Sequence, residues 1–354
     1  MAHLCRRIYL RTACYGRRSL QTTYNIYPHT KALEQEKQAL YLTKTILKAG
    51  SPPTLNRHVH LQQEELEDTL NHMKDCIIQT NWFHLDDDGS FDKKYKRAVK
   101  DHIAEKVFLN MLRVIWSSKA AGDSSLLSTC MSYKPSVVAP WERLGKNIQV
   151  SGKHGHLVNG KTLLPLFASM EEVEATKNEE VQWDDVISPF FEFPEAQTHF
   201  QPNRGFHEAA PYPCPQTLFI INPTYYHAHI NTGQGVFFSF AHALTYALSQ
   251  GYQIGDDLRE PIPIQCALFD GDSFYFLCYQ LNTLNFSEDQ TTVKNIAWIE
   301  PEHKLYERIV STESESKDFM DLLGKRVFLE DYNRVPAELF IRYVLNPLNI
   351  EAAV

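Results

Sequence analysis

Residues Ile262–Phe269 and Phe274–Thr283 are two strand-forming runs separated by Asp270, Gly271, Asp272 and Ser273. No other feature limits the fold as much. Asp, Gly and Ser supply the backbone freedom of a tight reversal, and the flanking runs have the β-branched and aromatic content of strands. A hairpin over 262–283 is therefore predicted, and a sheet must be built around it. Further strand signals are Ile148 and Val150 alternating with polar residues, His156–Val158 before the turn pair Asn159-Gly160, Thr217–Ile221, and Val293–Ile299.

Helical periodicity dominates the earlier part. Ala39, Leu40, Thr43, Ile46 and Leu47 share a face, and Gly50 with Pro52-Pro53 follows, so a helix is expected over 34–49. Leu66, Leu70, Met73 and Ile77 mark a second helix. Tyr95, Val99, Ile103, Val107 and Met111 mark a third between Asp92 and Trp116. Residues 117–140 show no clear period. Ser169 and Glu172 form a capping box that opens a short helix to Asn178. Phe237, Ala241, Leu244 and Leu248 predict a helix over 235–250 that Gly251 ends, and Pro336 opens a closing helix through Leu345. The proline- and aromatic-rich stretch 187–216 reads as an ordered connection lying on the surface. The expected class is α+β: a mainly helical region over 25–145, then a region over 146–354 with a mixed or antiparallel sheet and packed helices.

Charge is unevenly placed. Six of the 35 basic residues and none of the 43 acidic ones fall in the first 33 positions, leaving 29 against 43 in the remainder. Residues 1–24 are basic, hydroxyl-rich and free of acids, the composition of a mitochondrial transit peptide, with cleavage expected between Ser19 and Asn25. The remainder is acidic, the opposite of a protein that wraps nucleic acid. No apolar run is long enough to span a membrane. The seven cysteines are scattered without Cys-x-x-Cys spacing, which argues against a disulfide framework or a structural zinc site and fits a reducing compartment.

Motifs with catalytic associations have simpler readings. Gly233-x-Gly235 lacks the third glycine of a dinucleotide cradle, since Phe238 stands there, and it reads as a helix entry. Aligning Gly89 to the sixth position of a calcium loop puts His84 first and Tyr95 twelfth, where oxygen ligands are required. The pairs His58/His60, His154/His156 and His227/His229 could each present two ligands on one strand face, and the last is the one to check. Gly271-Asp272-Ser273 has the look of a hydrolase nucleophile turn, with His303 or His242 as base. A nuclease would have to use Asp270, Asp272 and Gln280. The densest basic patch, Lys93, Lys94, Lys96, Arg97 and Lys100, places four of its members on one helix face. It could touch RNA phosphates or be a solvated surface.

Five stretches carry a family resemblance: 37–45 (KQALYLTKT), 168–178 (ASMEEVEATKN), 211–218 (PYPCPQTL), 279–283 (YQLNT) and 293–298 (VKNIAW). Together and in this order, they make the chain resemble the animal mitochondrial large-ribosomal-subunit family numbered thirty-seven. That family is paralogous to the mitoribosomal family first catalogued as small-subunit protein thirty. None of the stretches is a catalytic motif. The resemblance implies a structural constituent of the mitochondrial ribosome in the matrix, with no enzymatic activity and no cofactor. Its implied partners are large-subunit proteins, among them the paralogue, and ribosomal RNA through local basic patches. The alternative is a matrix hydrolase using Ser273. The long amino-terminal extension of vertebrate members has no counterpart before Lys37, so no contact made by it is expected, and the tail after Tyr306 matches poorly.

Overall fold

The computed structural model describes residues 22–55, 63–82, 96–118, 129–197, 201–206, 210–222, 227–313 and 325–349. In chain order its elements are β1 (Thr23–Ile26), α1 (Gln35–Leu42), β2 (Thr45–Ala49), α2 (Gln63–Trp82), α3 (Lys96–Ser117), β3 (Thr129–Tyr133), β4 (Ser136–Arg143), β5 (Lys146–Lys153), β6 (His156–Gly160) and α4 (Met170–Ala175). Then follow β7 (Glu195–Ala196), β8 (Cys214–Ile221), α5 (Ala228–Ser249), β9 (Asp257–Phe269), β10 (Ser273–Thr283), β11 (Asn295–Ile299), β12 (His303–Lys304), β13 (Arg308–Glu313), β14 (Lys325–Glu330) and α6 (Arg334–Leu345). This is the expected α+β class, with long helices early and the sheets dominating the second half.

The predicted hairpin is the centre of the molecule. β9 and β10 pair antiparallel with Phe269 opposite Phe274. The large sheet runs β2-β11-β10-β9-β8-β6-β3, with β12 beside β10; β2 lies parallel to β11 and β8 parallel to β9. β10 is buried along its whole length because it is apolar on both faces. Phe274, Phe276 and Cys278 point into one core with α2, α3 and α6, while Tyr275, Leu277 and Tyr279 point into a second core with α1 and α5. The second core is closed by a small sheet, β4-β5-β1-β7, through Ile26, Val137, Trp141 and Ile148. Four layers result: helices, large sheet, helices, small sheet.

Phe108 of α3 shows how tightly the first core is keyed. Its ring lies 5.3 Å from both Phe219 of β8 and Phe340 of α6, so one side chain joins two helices to the sheet. α5 lies between the two sheets and is buried from Ile230 to Ala247. It begins at Ala228 rather than at 235, because Gly233 and Gly235 are interior helical residues. A Cβ on Gly233 would stand 2.6 Å from the Gln35 carbonyl carbon, where α1 crosses. One on Gly235 would stand 2.3 Å from Leu277 Cδ2. The glycines are there for close packing.

The helix expected over 34–49 ends at Leu42. Lys44 takes a left-handed conformation (φ 52°) and the chain turns straight into β2. Thr43, Thr45 and Ile46 are β-branched and suit the strand better. Residues 117–140, which lack a period, contain β3 and the first part of β4, and β1 forms at 23–26. The division at 145/146 falls in the β4–β5 turn, and the strands on either side of it are paired.

Candidate functional site

Among the described residues the hairpin turn does not show the serine–histidine arrangement of a hydrolase. Ser273 is buried, and its hydroxyl donates to Asp272 Oδ1 at 3.0 Å rather than to a histidine. His303 lies opposite Phe274, so it projects from the other face of the sheet and packs on Phe276. His242 is on α5, eleven residues beyond the Asn231 that neighbours Tyr275, about 16 Å along the helix axis. The hydrolase reading is not supported, because neither candidate histidine reaches the hydroxyl. Asp270 accepts the backbone N–H of Ser273 (2.8 Å) and the phenol of Tyr275 (3.3 Å), the bonds of a tight turn. Burial and the adjacent Asp272 raise its carboxyl to about 6. Gln280 lies seven residues along β10, about 23 Å away, so it cannot join these carboxylates around a metal.

The histidine pairs also separate. His58/His60 lies outside the described residues. His154 and His156 pack against Phe238 and Phe108, rings in different cores. Burial lowers both pKa values, that of His154 to about 4. His227 and His229 stack on one another at the start of α5, with ring centroids 5.6 Å apart. Among the described residues no three metal-binding side chains cluster. Of the basic patch, Lys93 and Lys94 lie outside the described residues, while Lys96, Arg97 and Lys100 occupy the first turns of α3.

What the structure does assemble is a buried polar hub at the start of β2 and β11, which sequence reasoning missed. Its anchor is Lys44, fully buried, whose Nζ donates to the carbonyls of Asn285 (3.1 Å), Ser287 (2.9 Å) and Asp289 (3.1 Å) and to Thr292 Oγ1 (2.6 Å). Arg143 is buried beside it, gives both its hydrogen bonds of 2.8 Å to the carbonyls of Phe286 and Ser287, and lies over the Tyr41 ring. Lys294 Nζ reaches the carbonyls of Lys177 and Gln290. Three cations thus hold the 284–294 connection through its main chain. Burial, reinforced by Arg143 and Lys294, lowers Lys44 to about 8.

The hub continues through amides. Asn295 Nδ2 donates to the Thr43 carbonyl at 2.9 Å, and its Oδ1 accepts from the amides of Asn282 and Thr283. Thr176 Oγ1 accepts from Lys294 N. Gln280 Oε1 accepts from the amides of Phe167 and Ala168, just before the capping box Ser169/Glu172, which forms as expected. Each buried polar atom so paired avoids a desolvation penalty of about 1–3 kcal/mol. Four of the five stretches that carry the family resemblance, 37–45, 168–178, 279–283 and 293–298, meet here. The signal available was the presence of the amides Gln280, Asn282 and Asn295 within otherwise apolar strands.

A family model described as mitochondrial 28S ribosomal protein S30 (PDCD9) matches residues 227–328, from the start of α5 into β14. Curated proteins named large ribosomal subunit protein mL37 align over far more of the chain. The protein from Bos taurus is 29% identical over 296 residues, 81% of this chain and 67% of its own length. This chain is similar to the mL37 proteins. Those from Rattus norvegicus and Gallus gallus are 28% and 26% identical, over 81% and 79% of this chain. The match spans about two thirds of the length of these mL37 proteins, 65% of the Gallus gallus one. The family model reaches past Tyr306, into the tail where the resemblance is expected to be poor.

Proposed function

We propose that this chain is a structural constituent of the large subunit of the mitochondrial ribosome, acting in the matrix and supporting organelle translation without chemistry of its own. The observation that carries this is the alignment with mL37 proteins over about four fifths of the chain. The geometry supports it: the buried polar groups of the hub are spent on main-chain carbonyls and amides, and Ser273 is paired with Asp272 rather than with His303 or His242. Among the described residues no helix is long and apolar enough to cross a membrane.

Within this reading the acidic body meets mainly protein neighbours, the paralogue among them, and touches ribosomal RNA locally through Lys93, Lys94, Lys96, Arg97 and Lys100. The amino-terminal basic segment acts as the import leader. It comprises residues 1–24, with cleavage between Ser19 and Asn25. Sucrose-gradient fractionation of mitochondrial lysate tests the proposal. The chain should sediment with the large subunit, and its depletion should reduce organelle protein synthesis. Recovery of the chain only at the top of the gradient, with synthesis intact on depletion, refutes it.

A further inference from the structure

β2 is the terminal strand of the large sheet, and among the described residues no strand pairs with its outer side. The Asn295 amide donates to the Lys44 carbonyl, and the Gly50 amide to the Ile299 carbonyl. In a parallel ladder these two bonds fix the phase: residues 44, 46, 48 and 50 face β11, while Thr45, Leu47 and Ala49 turn their N–H and C=O groups outward. Leu47 and Ala49 are exposed, Leu47 by 49%. Among the described residues of this edge the one lysine, Lys48, leans over the Trp298 ring in the first core and so does not guard the outer side. By contrast, the edge strand β4 of the small sheet is capped by a bridge from Val138 to Asn203.

Beside this edge runs a groove of about 360 Å³, walled by Leu40 and Tyr41 of α1, by Thr45–Leu47, and by residues 179–185. The wall formed by 179–185 is acidic: Glu179, Glu180 and Asp184 are exposed, and among the described residues Lys37 is the one cation lining the groove, held by Glu34 and Asp185 at 3.3 Å. Residues 170–185 hold seven acidic residues against Lys177 alone. Trp183, fixed by its indole N–H on the Ile187 carbonyl at 2.7 Å, presents a ring on which an alkylammonium or guanidinium could rest.

We propose that β2 accepts an added strand: an extended, basic segment of a partner protein that pairs with Leu47 and Ala49 and sets its lysines or arginines against Glu179, Glu180 and Asp184. The charge of the wall selects this occupant and disfavours RNA, whose phosphates would meet like charge. The inference rests on the groove itself and not on the ribosomal assignment.

The test uses the full chain, purified, and a fluorescent peptide of about seven residues alternating lysine and valine, a length chosen to match β2. At low salt the peptide should bind, and the Leu47 and Ala49 amides should slow in hydrogen exchange. Methylating alternate backbone nitrogens of the peptide keeps its charge and removes its donors, and should weaken binding by about ten-fold or more. The exposed pair Glu180→Lys and Asp184→Lys should weaken it comparably without altering the fold. Absence of binding, equal binding of the methylated peptide or of the charge-reversed chain, or preference for a short single-stranded RNA each overturns the proposal. The gradient result is independent of all of these.

Discussion

At the scale of single residues, the clearest consequence concerns the two glycines of α5. Both are closely approached, but by different things: Gly233 by the backbone of Gln35 and Glu36, Gly235 by the end of the Leu277 side chain and by Leu268 Cδ1. A backbone cannot swing aside and a leucine methyl can, so the two alanine substitutions should differ. Gly233→Ala should cost on the order of 2–3 kcal/mol, the upper part of the range for overpacking, and Gly235→Ala less. Urea unfolding of the two variants checks the order, and a larger loss at Gly235 would contradict it. The Gly-x-Gly spacing was legible as a feature but its cause was not, because the backbone it accommodates belongs to α1, about two hundred positions earlier. Likewise Ser273 looks reactive in sequence only because a turn and a nucleophile elbow use the same residue types.

At the scale of elements, the β10–β11 connection is shaped by side chains outside it. Lys44, Arg143 and Lys294 collect its carbonyls, so the loop conformation is set by cations from α1–β2, β4 and its own end. Lys44→Met keeps much of the stem and removes the donors, leaving inward-turned carbonyls unpaired. It should destabilise the chain by about 2–4 kcal/mol and speed amide exchange over 284–292. Unchanged exchange there would mean that the loop holds itself. The long elements were legible because each satisfies a local rule: the 66–77 and 95–111 stripes, the Ser169 capping box, the 262–283 hairpin, and the α6 start, where Asn333 accepts from Val335 N. The short strands β1, β3 and β4 were not, since what stabilises them is a partner distant in sequence. Lys44 was the least legible of all. A lysine within an apolar stripe reads as helix surface, and nothing local announces that its ammonium will be enclosed by carbonyls some 240 residues away.

At the scale of the whole molecule, stability should depend on pH through groups that the fold buries. His154 is lowered to about 4 and His242 to about 3, both by burial, so the folded chain holds them neutral. Their contribution is complete above the ordinary histidine value and is lost as pH falls from about 6.5 towards 4, because only the unfolded chain then takes up the protons. Asp270 works in the opposite sense. Raised to about 6, it favours the fold below the ordinary carboxylate value and loses that contribution as pH rises to 6. Two histidines against one aspartate leave a net loss on acidification. His242→Leu should flatten the acid limb, since His242 Nε2 has no hydrogen-bond partner to lose. Asp270→Asn should steepen that limb while stabilising the chain by about 1–3 kcal/mol near neutrality. Chemical denaturation of the three proteins across the range decides this, and parallel curves would refute it.

β2 depends on β11 and β1 on β5, strands that come much later in the chain. A polypeptide threaded out from its amino terminus therefore cannot finish its central sheet piecemeal: β2 has no mate until about five sixths of the chain has emerged. Closing such distant ends is entropically slow, and the waiting strands stay sticky meanwhile. Chaperone shelter during that interval is the demand that this topology places on its host compartment.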